Sequence, residues 1–254
     1  MDGIRFESSD NYSWQAGTQL GLLLICDHAS ARIPLEYGDL GMPAASRREH
    51  ICWDIGAGEL ALALGAALDA PVICAGWSRI LIDCNRGWED PTLILPISDG
   101  VVVPGNQALD EAECERRWQR YHQPYHGAID RHLQGCQARG LNPLIISIHS
   151  FTPVFGGQQR PWQVGVLWRP PDVRAAAALG WLTAAGLRVG DNEPYSGADL
   201  LGHSLERHAL ERGLPYLMFE VRQDLIDSAA GVQSYANLLH DCVCAVRRTR
   251  DLTG

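Results

Sequence analysis

The chain has no lysine. All 21 of its basic residues are arginine, set against 30 acidic residues, and the formal charge over 254 residues is −9. A G+C-rich genome accounts for such usage, and we read no function from it. The densest arginine run is Arg247, Arg248 and Arg250. Binding along a phosphate backbone needs a basic patch, so nucleic acid is not an expected partner. No apolar stretch comes near the roughly 18 residues needed to span a bilayer. The start, MDGIRFESSD, lacks the apolar core of a secretory signal. The expectation is a cytoplasmic protein that engages no membrane. CxxC pairs are missing too. The eight cysteines (Cys26, Cys52, Cys74, Cys84, Cys114, Cys136, Cys242 and Cys244) are scattered. That argues against a cysteine zinc knuckle or redox motif and for reduced, buried thiols. There is no internal repeat and no low-complexity segment.

What is present is an ordinary globular composition, 46% hydrophobic and 20% charged. The length suits one large domain or two small ones, and we take it as one domain spanning 1–254. Short runs rich in Ile, Val or Leu, bounded by Gly, Pro or Asn, predict strands at Gly21–Cys26, Pro71–Ala75, Arg79–Asp83, Leu144–Ile148, Gln163–Trp168 and Tyr216–Phe219. Helical patterns fall at Ile55–Leu68, Asp110–Arg139, Asp172–Ala185, Ser204–Arg212 and Gly231–Arg248. Strands alternating with helices predict an α/β fold with a largely parallel sheet. Pro71–Ala75 and Arg79–Asp83 lie too close for a helical crossover. They read as an antiparallel hairpin, which makes the sheet mixed. Gly87–Asn106 reads as a long loop.

The polar residues that follow these strands carry the chemistry. Asp27 and His28 follow the first, His149 the fourth and Glu220 the last, while Asn85 and Arg86 follow "LIDC". Ligands of open α/β sheets bind outside the carboxyl ends of the strands, so these groups converge on one rim if their strands are neighbours. Two neutral imidazoles suit Zn2+, although another divalent metal would also serve. A catalytic zinc takes three protein ligands and keeps one position open. Candidates for the third are Asp54, Asp27 and Glu36. Asp54 is favoured, because side chains alternate along an extended chain and Asp27 and His28 should not face one ion together. Glu220 is then placed as general base. Singly, each residue has a plainer reading: a hydrogen-bonded structural histidine for His28 or His149, a helix N-cap for Asp54, an ion pair with Arg222 for Glu220. His122 and His126 have metal-ligand spacing, but Pro124 falls between them. His203 and His208 are further rim candidates, and "GDNEPYSG" is a turn that could cover substrate.

The stretches "CDHASARIP", "LIDCNR", "IHSFTP", "NEPYSG" and "EVRQDLI", in this order, closely resemble the N-formylglutamate amidohydrolase family over about Leu22 to Ile226. The resemblance implies a three-layer α/β/α fold of the zinc-peptidase and aspartoacylase kind, with one zinc per chain. It further implies hydrolysis of a small N-acyl amino acid such as N-formylglutamate, a step of histidine degradation. Carried over, His28 and His149 are zinc ligands and Glu220 the catalytic glutamate. By the same resemblance Arg79 would polarise the scissile carbonyl, and Asn85 and Arg86 would grip the substrate carboxylate; Arg222, by its charge close to Glu220 in sequence, is a further candidate for binding substrate. The wider group's HxxE motif is broken, since Ala31 stands three residues after His28; Asp54 is the substitute ligand. Two other readings remain: a different zinc amide or peptide hydrolase on the same scaffold, and a non-catalytic binding protein.

Overall fold

A computed structural model describes residues 9–169, 172–198 and 201–250. Seven strands build one sheet: β1 (Tyr12–Gln15), β2 (Leu22–Cys26), β3 (Val72–Ala75), β4 (Leu144–Phe151), β5 (Val164–Leu167), β6 (Val189–Asp191) and β7 (Tyr216–Arg222). Their order is β1-β3-β2-β4-β7-β5-β6. The central four, β3, β2, β4 and β7, run parallel. β1 is antiparallel to β3 and β5 to β7, and β6 runs parallel to β5. The sheet is therefore mixed and largely parallel.

Period-two alternation sorts the strand side chains between two helical layers. Leu22, Leu24 and Cys26, with Ile146, Ile148, Leu217 and Phe219, pack against α1 (Ala57–Leu68), α4 (Val173–Ala184) and α6 (Ala229–Arg250). Leu23, Ile25, Ile145 and Met218 face the other way, onto α3 (Gln123–Gln137) and α5 (His203–His208). By the same parity, Asp27, His149 and Glu220 leave the sheet on the α3/α5 side. No helix among the described residues is long and apolar enough to cross a membrane, and all eight cysteines are free.

Arg79–Asp83 is not a strand, so the expected hairpin with Pro71–Ala75 does not exist. The antiparallel partner of β3 is β1. Side chains have claimed the backbone acceptors of this apolar run: Asn106 donates to the Ile80 carbonyl at 2.8 Å, and Arg117 to the Leu81 carbonyl at 3.0 Å. Ile80, Leu81 and Ile82 instead fill a satellite core with Leu40, Met42, Ile51 and Val103. The apolar pattern registered burial correctly and misassigned its geometry. The loop Gly87–Asn106 contains a short antiparallel pair, Ile97–Ser98 with Val101–Val102. The long helix is divided into α2 (Glu111–Arg117), one π turn (Trp118–His122) and α3. Pro124, which has no N–H to give back to the preceding turn, sits in the first turn of α3, one residue past the π turn.

Candidate metal centre and active site

β4 and β7 are longer than the sequence suggests, and they set His149 and Glu220 inside neighbouring strands as paired residues. His28 lies two residues beyond β2, on the other flank of β4. Asp54 arrives from the loop before α1. Its own N–H is tied to the His28 carbonyl at 2.9 Å. It does not cap α1, whose N-cap is Gly56 with φ 78°. A Cβ on Gly56 would meet the Ile226 carbonyl oxygen at 2.2 Å, so only glycine fits there, and Asp54 is left free to turn inward.

Nδ1 of His149 lies 2.8 Å, and Nδ1 of His28 3.4 Å, from Oδ2 of Asp54. The far nitrogens face two other carboxylates. His28 Nε2 donates to Asp83 Oδ1 at 2.7 Å, and His149 Nε2 lies 3.2 Å from Asp27 Oδ2. Carboxylates behind the outer ring nitrogens fix the tautomer and turn both Nδ1 lone pairs inward, a common arrangement around metal-ligating histidines. His28, Asp54 and His149 thus present three lone-pair atoms to one point, and all three residues are buried. Such a set repels itself unless a proton or a cation sits between its members, so the chemistry of the donors fits a divalent ion. The groups respond as an acid–base cluster. Burial pushes Asp54 up, but the two histidines outweigh it and hold the carboxyl well below its usual range. Burial pushes His149 down, and Asp27 and Asp54 pull it up further than that.

Glu220 is buried beside this trio, and its Oε2 has no hydrogen-bond partner among the described residues. Burial raises its pKa to about 7. Arg79 bridges Asp54 Oδ1 at 3.2 Å and Asp83 Oδ2 at 3.1 Å. Asn85 accepts the Ser204 N–H on Oδ1 at 3.1 Å, which leaves its NH2 as the group to offer a ligand. Gly202, at φ 91°, lies so close that a Cβ there would stand 2.4 Å from the Asn85 amide. Trio, Glu220, Arg79, Asn85 and Arg86 line one cavity of about 340 Å³. The structure does not bring Arg222 into it, because that guanidinium turns onto Asp224 at 2.7 Å. Glu36 is also elsewhere, held by Arg120 at 3.2 Å. Asp27 stays behind His149, where Tyr125 and Ser204 also donate to it. Asp83 was not singled out in the sequence, although it stands in the quoted "LIDCNR"; its signal was an acid inside an apolar run. Ser150 and Tyr195 line the cavity as well.

Histidines from the α3/α5 layer back the Asn85–Arg86 stretch. His126 Nε2 donates to the Cys84 carbonyl at 2.8 Å and His122 Nε2 to the Arg86 carbonyl at 3.0 Å, while the His203 N–H donates to the Asn85 carbonyl at 3.2 Å. His122, His126 and His203 have nitrogens within 4.8 Å of one another. His126, however, has both nitrogens committed, the second to His208 at 2.8 Å. We read the row as a scaffold that fixes three successive carbonyls. Burial keeps these rings neutral: His122 is pushed down to about 3 and His132, elsewhere on α3, to about 4. His126, His203 and His208 are lowered for the same reason. Each binds a proton near its ordinary 6.5 only once unfolded. Stability from these rings is therefore full above that value and is lost as pH falls towards the folded values. In metal-free protein His28, His149 and Glu220 are shifted upwards and act in the opposite sense, so the test is a difference: His122→Gln should lose less Tm than the wild type between about pH 7.5 and about pH 5 by circular dichroism. An equal loss in the two proteins would contradict the neutral-ring assignment of His122.

The N-formylglutamate amidohydrolase family matches residues 20–227. Among solved structures, a gene product of Agrobacterium tumefaciens is 34% identical with a TM-score of 0.90, over 95% of this chain and 96% of that one. An N-formylglutamate amidohydrolase from Ralstonia eutropha JMP134 is 18% identical with a TM-score of 0.66, over 95% of this chain and 98% of that one. At that identity the likeness shows the fold alone. No curated protein matches the chain significantly.

Proposed function

The chain belongs to the N-formylglutamate amidohydrolase family and is an amidohydrolase, and from that premise we propose a zinc-dependent enzyme that cleaves small N-acyl amino acids, foremost N-formyl amino acids, to a carboxylate and the free amino acid. N-formylglutamate is the family's namesake substrate. The observation that carries the reading is the convergence of two histidine Nδ1 atoms and an Asp54 oxygen beside Glu220 Oε2, which has no hydrogen-bond partner among the described residues, in a cavity that also holds Asn85 and Arg86.

His28, Asp54 and His149 would hold the ion. When bound there, a divalent cation supplies Lewis acidity, which makes water nucleophilic near neutral pH and polarises an amide carbonyl. Arg86 and the Asn85 NH2 grip the substrate carboxylate, for which a planar guanidinium is suited. Arg79, kept cationic between Asp54 and Asp83, faces the oxyanion that develops as water adds to the carbonyl carbon. Glu220 takes the proton from the attacking water and returns it to the leaving nitrogen, so the C–N bond breaks with a neutral amine departing.

The test is formate release from N-formyl amino acids, with metal content determined on the same sample and on a chelated control. Chelator-sensitive release at about one zinc per chain supports the reading. Protein that neither holds a metal nor gains activity from added zinc would sink it. Arg86→Ala should raise KM by about 10- to 100-fold, since a charge-assisted hydrogen bond is lost. Arg86→Lys should recover only part of that, because the fork geometry is gone. Steady-state kinetics of the two variants check this.

A further inference from the structure

The carboxylate-binding capacity of the cavity can be counted. Arg79 and Arg86 are the arginines that line it among the described residues. Arg79 bridges Asp54 and Asp83, and the donors left to it are assigned above to the acyl oxygen. Arg86 directs Nε to Thr92 at 2.9 Å and Nη1 to the Asn85 carbonyl at 3.0 Å, with Asp90 at 3.7 Å. Its Nη2 makes no hydrogen bond among the described residues and lies on the same rim as the free Asn85 NH2. The two donors make one clamp, for one carboxylate. Arg160, a third cation nearby, does not line the cavity. It stands behind Tyr195, against the ring at 4.9 Å, with its Nη1 on the Thr152 and Tyr195 hydroxyls. Arg222 is paired with Asp224.

The wall beside the clamp is apolar. Met218 and Leu167 are directly paired across β7 and β5. Met218 lies two residues before Glu220, hence on the same face of β7. Leu201 precedes Gly202, which is pressed against the Asn85 amide. All three apolar side chains are buried and line the cavity. Among the other titratable groups on its lining, His28 and His149 face the ion, Tyr195 is a phenol, and Asp54 and Glu220 are carboxylates. An N-acyl glutamate carries two carboxylates four bonds apart. With one in the clamp, the other would find no further arginine on the lining: what remains there is Leu167, Leu201 and Met218, the hydroxyls of Ser150, Tyr195 and Ser196, and the Glu220 carboxyl. A carboxylate taken from water without a partner is costly.

Resting on the amidohydrolase reading above, we infer that the substrate is an N-acyl amino acid with a single carboxylate and an uncharged, apolar side chain, the carboxylate held by Asn85 and Arg86 and the side chain by Leu167, Leu201 and Met218. The arm on this wall is the amino-acid side chain and not the acyl group. Leu201 adjoins the clamp, and the carboxylate and the side chain share one α-carbon, whereas the acyl carbonyl must reach Arg79 and the trio.

The experiment compares kcat/KM of the zinc-loaded enzyme for N-formyl-L-methionine, N-formyl-L-glutamine and N-formyl-L-glutamate. Glutamine separates charge from length. The expected order is methionine, glutamine, glutamate, with methionine ahead of glutamate by about 100-fold or more. Hydrolysis with glutamate equal or preferred overturns the inference and leaves the amidohydrolase reading standing. If none of the three is cleaved, that reading falls and the inference with it. Calorimetric binding of the products reads the same preference without turnover. Tighter binding of L-methionine than L-glutamate supports the inference, and the reverse order overturns it.

Discussion

Glu220→Gln is expected to lower kcat by about a thousandfold or more while zinc stays bound at its wild-type level. Glutamine keeps the size and hydrogen-bonding shape of the side chain and removes its basicity, so the loss measures proton transfer and not packing. Three features single out this carboxyl. It is buried among the paired strands β4 and β7, its Oε2 has no hydrogen-bond partner among the described residues, and burial pushes its pKa to about 7. A carboxyl near 7 is a useful compromise: it can accept a proton from water and is still acidic enough, once protonated, to give it to a departing nitrogen. The His149 ring already draws the value down against burial, and a bound cation would draw it lower. The acidic limb of the kcat/KM profile should therefore fall below about 7, with activity lost as Glu220 takes up its proton. Formate release and metal analysis on one preparation test the variant. Near-normal turnover would remove Glu220 from the mechanism, and loss of the metal would make it a ligand instead of a base.

The parts of this site that were legible in the sequence are those that depend on strand endings. Apolar runs leading into His28, His149 and Glu220 put three reactive groups on one rim, because a parallel sheet can hide its strands and still expose their carboxyl ends. Parity did further work: Asp27 and His28, adjacent in the chain, point to different places, and Asp27 reaches His149 from behind. What was not legible depends on partners distant in sequence. Nothing near Arg79–Asp83 announces that Asn106 and Arg117 will take its carbonyls and prevent a strand. Nothing near Asp83 announces that it will hold both His28 and Arg79. Arg222 follows Glu220 by two residues and shares its parity, yet β7 ends there and Asp224 captures the guanidinium. The edge strands β1 and β6 have four and three residues, too few to establish a period.

Asp54→Ala should produce the opposite pairing of losses to Glu220→Gln: activity and metal disappear together. Asp54 Oδ2 is the atom on which both histidine Nδ1 lone pairs converge, and Oδ1 engages Arg79 at 3.2 Å. Removing the carboxylate takes away one of three ligands. It also leaves the Arg79 charge less compensated next to the place where a dication must sit, so the remaining histidines face both a lost bond and added repulsion. Zinc content after dialysis should fall well below one per chain, and added zinc should not restore turnover. Asp27→Asn and Asp83→Asn give the contrast. Each removes a charge behind a histidine ring, so affinity should weaken by about 10- to 100-fold while saturating zinc still restores most activity. Rescue by zinc thus separates a carboxylate that touches the ion from one that orients a ligand. If Asp54→Ala retains stoichiometric zinc and one of the other two variants loses it beyond rescue, the third ligand is Asp27 or Asp83. The roles of direct ligand and supporting carboxylate would then have to be exchanged around the same two imidazoles.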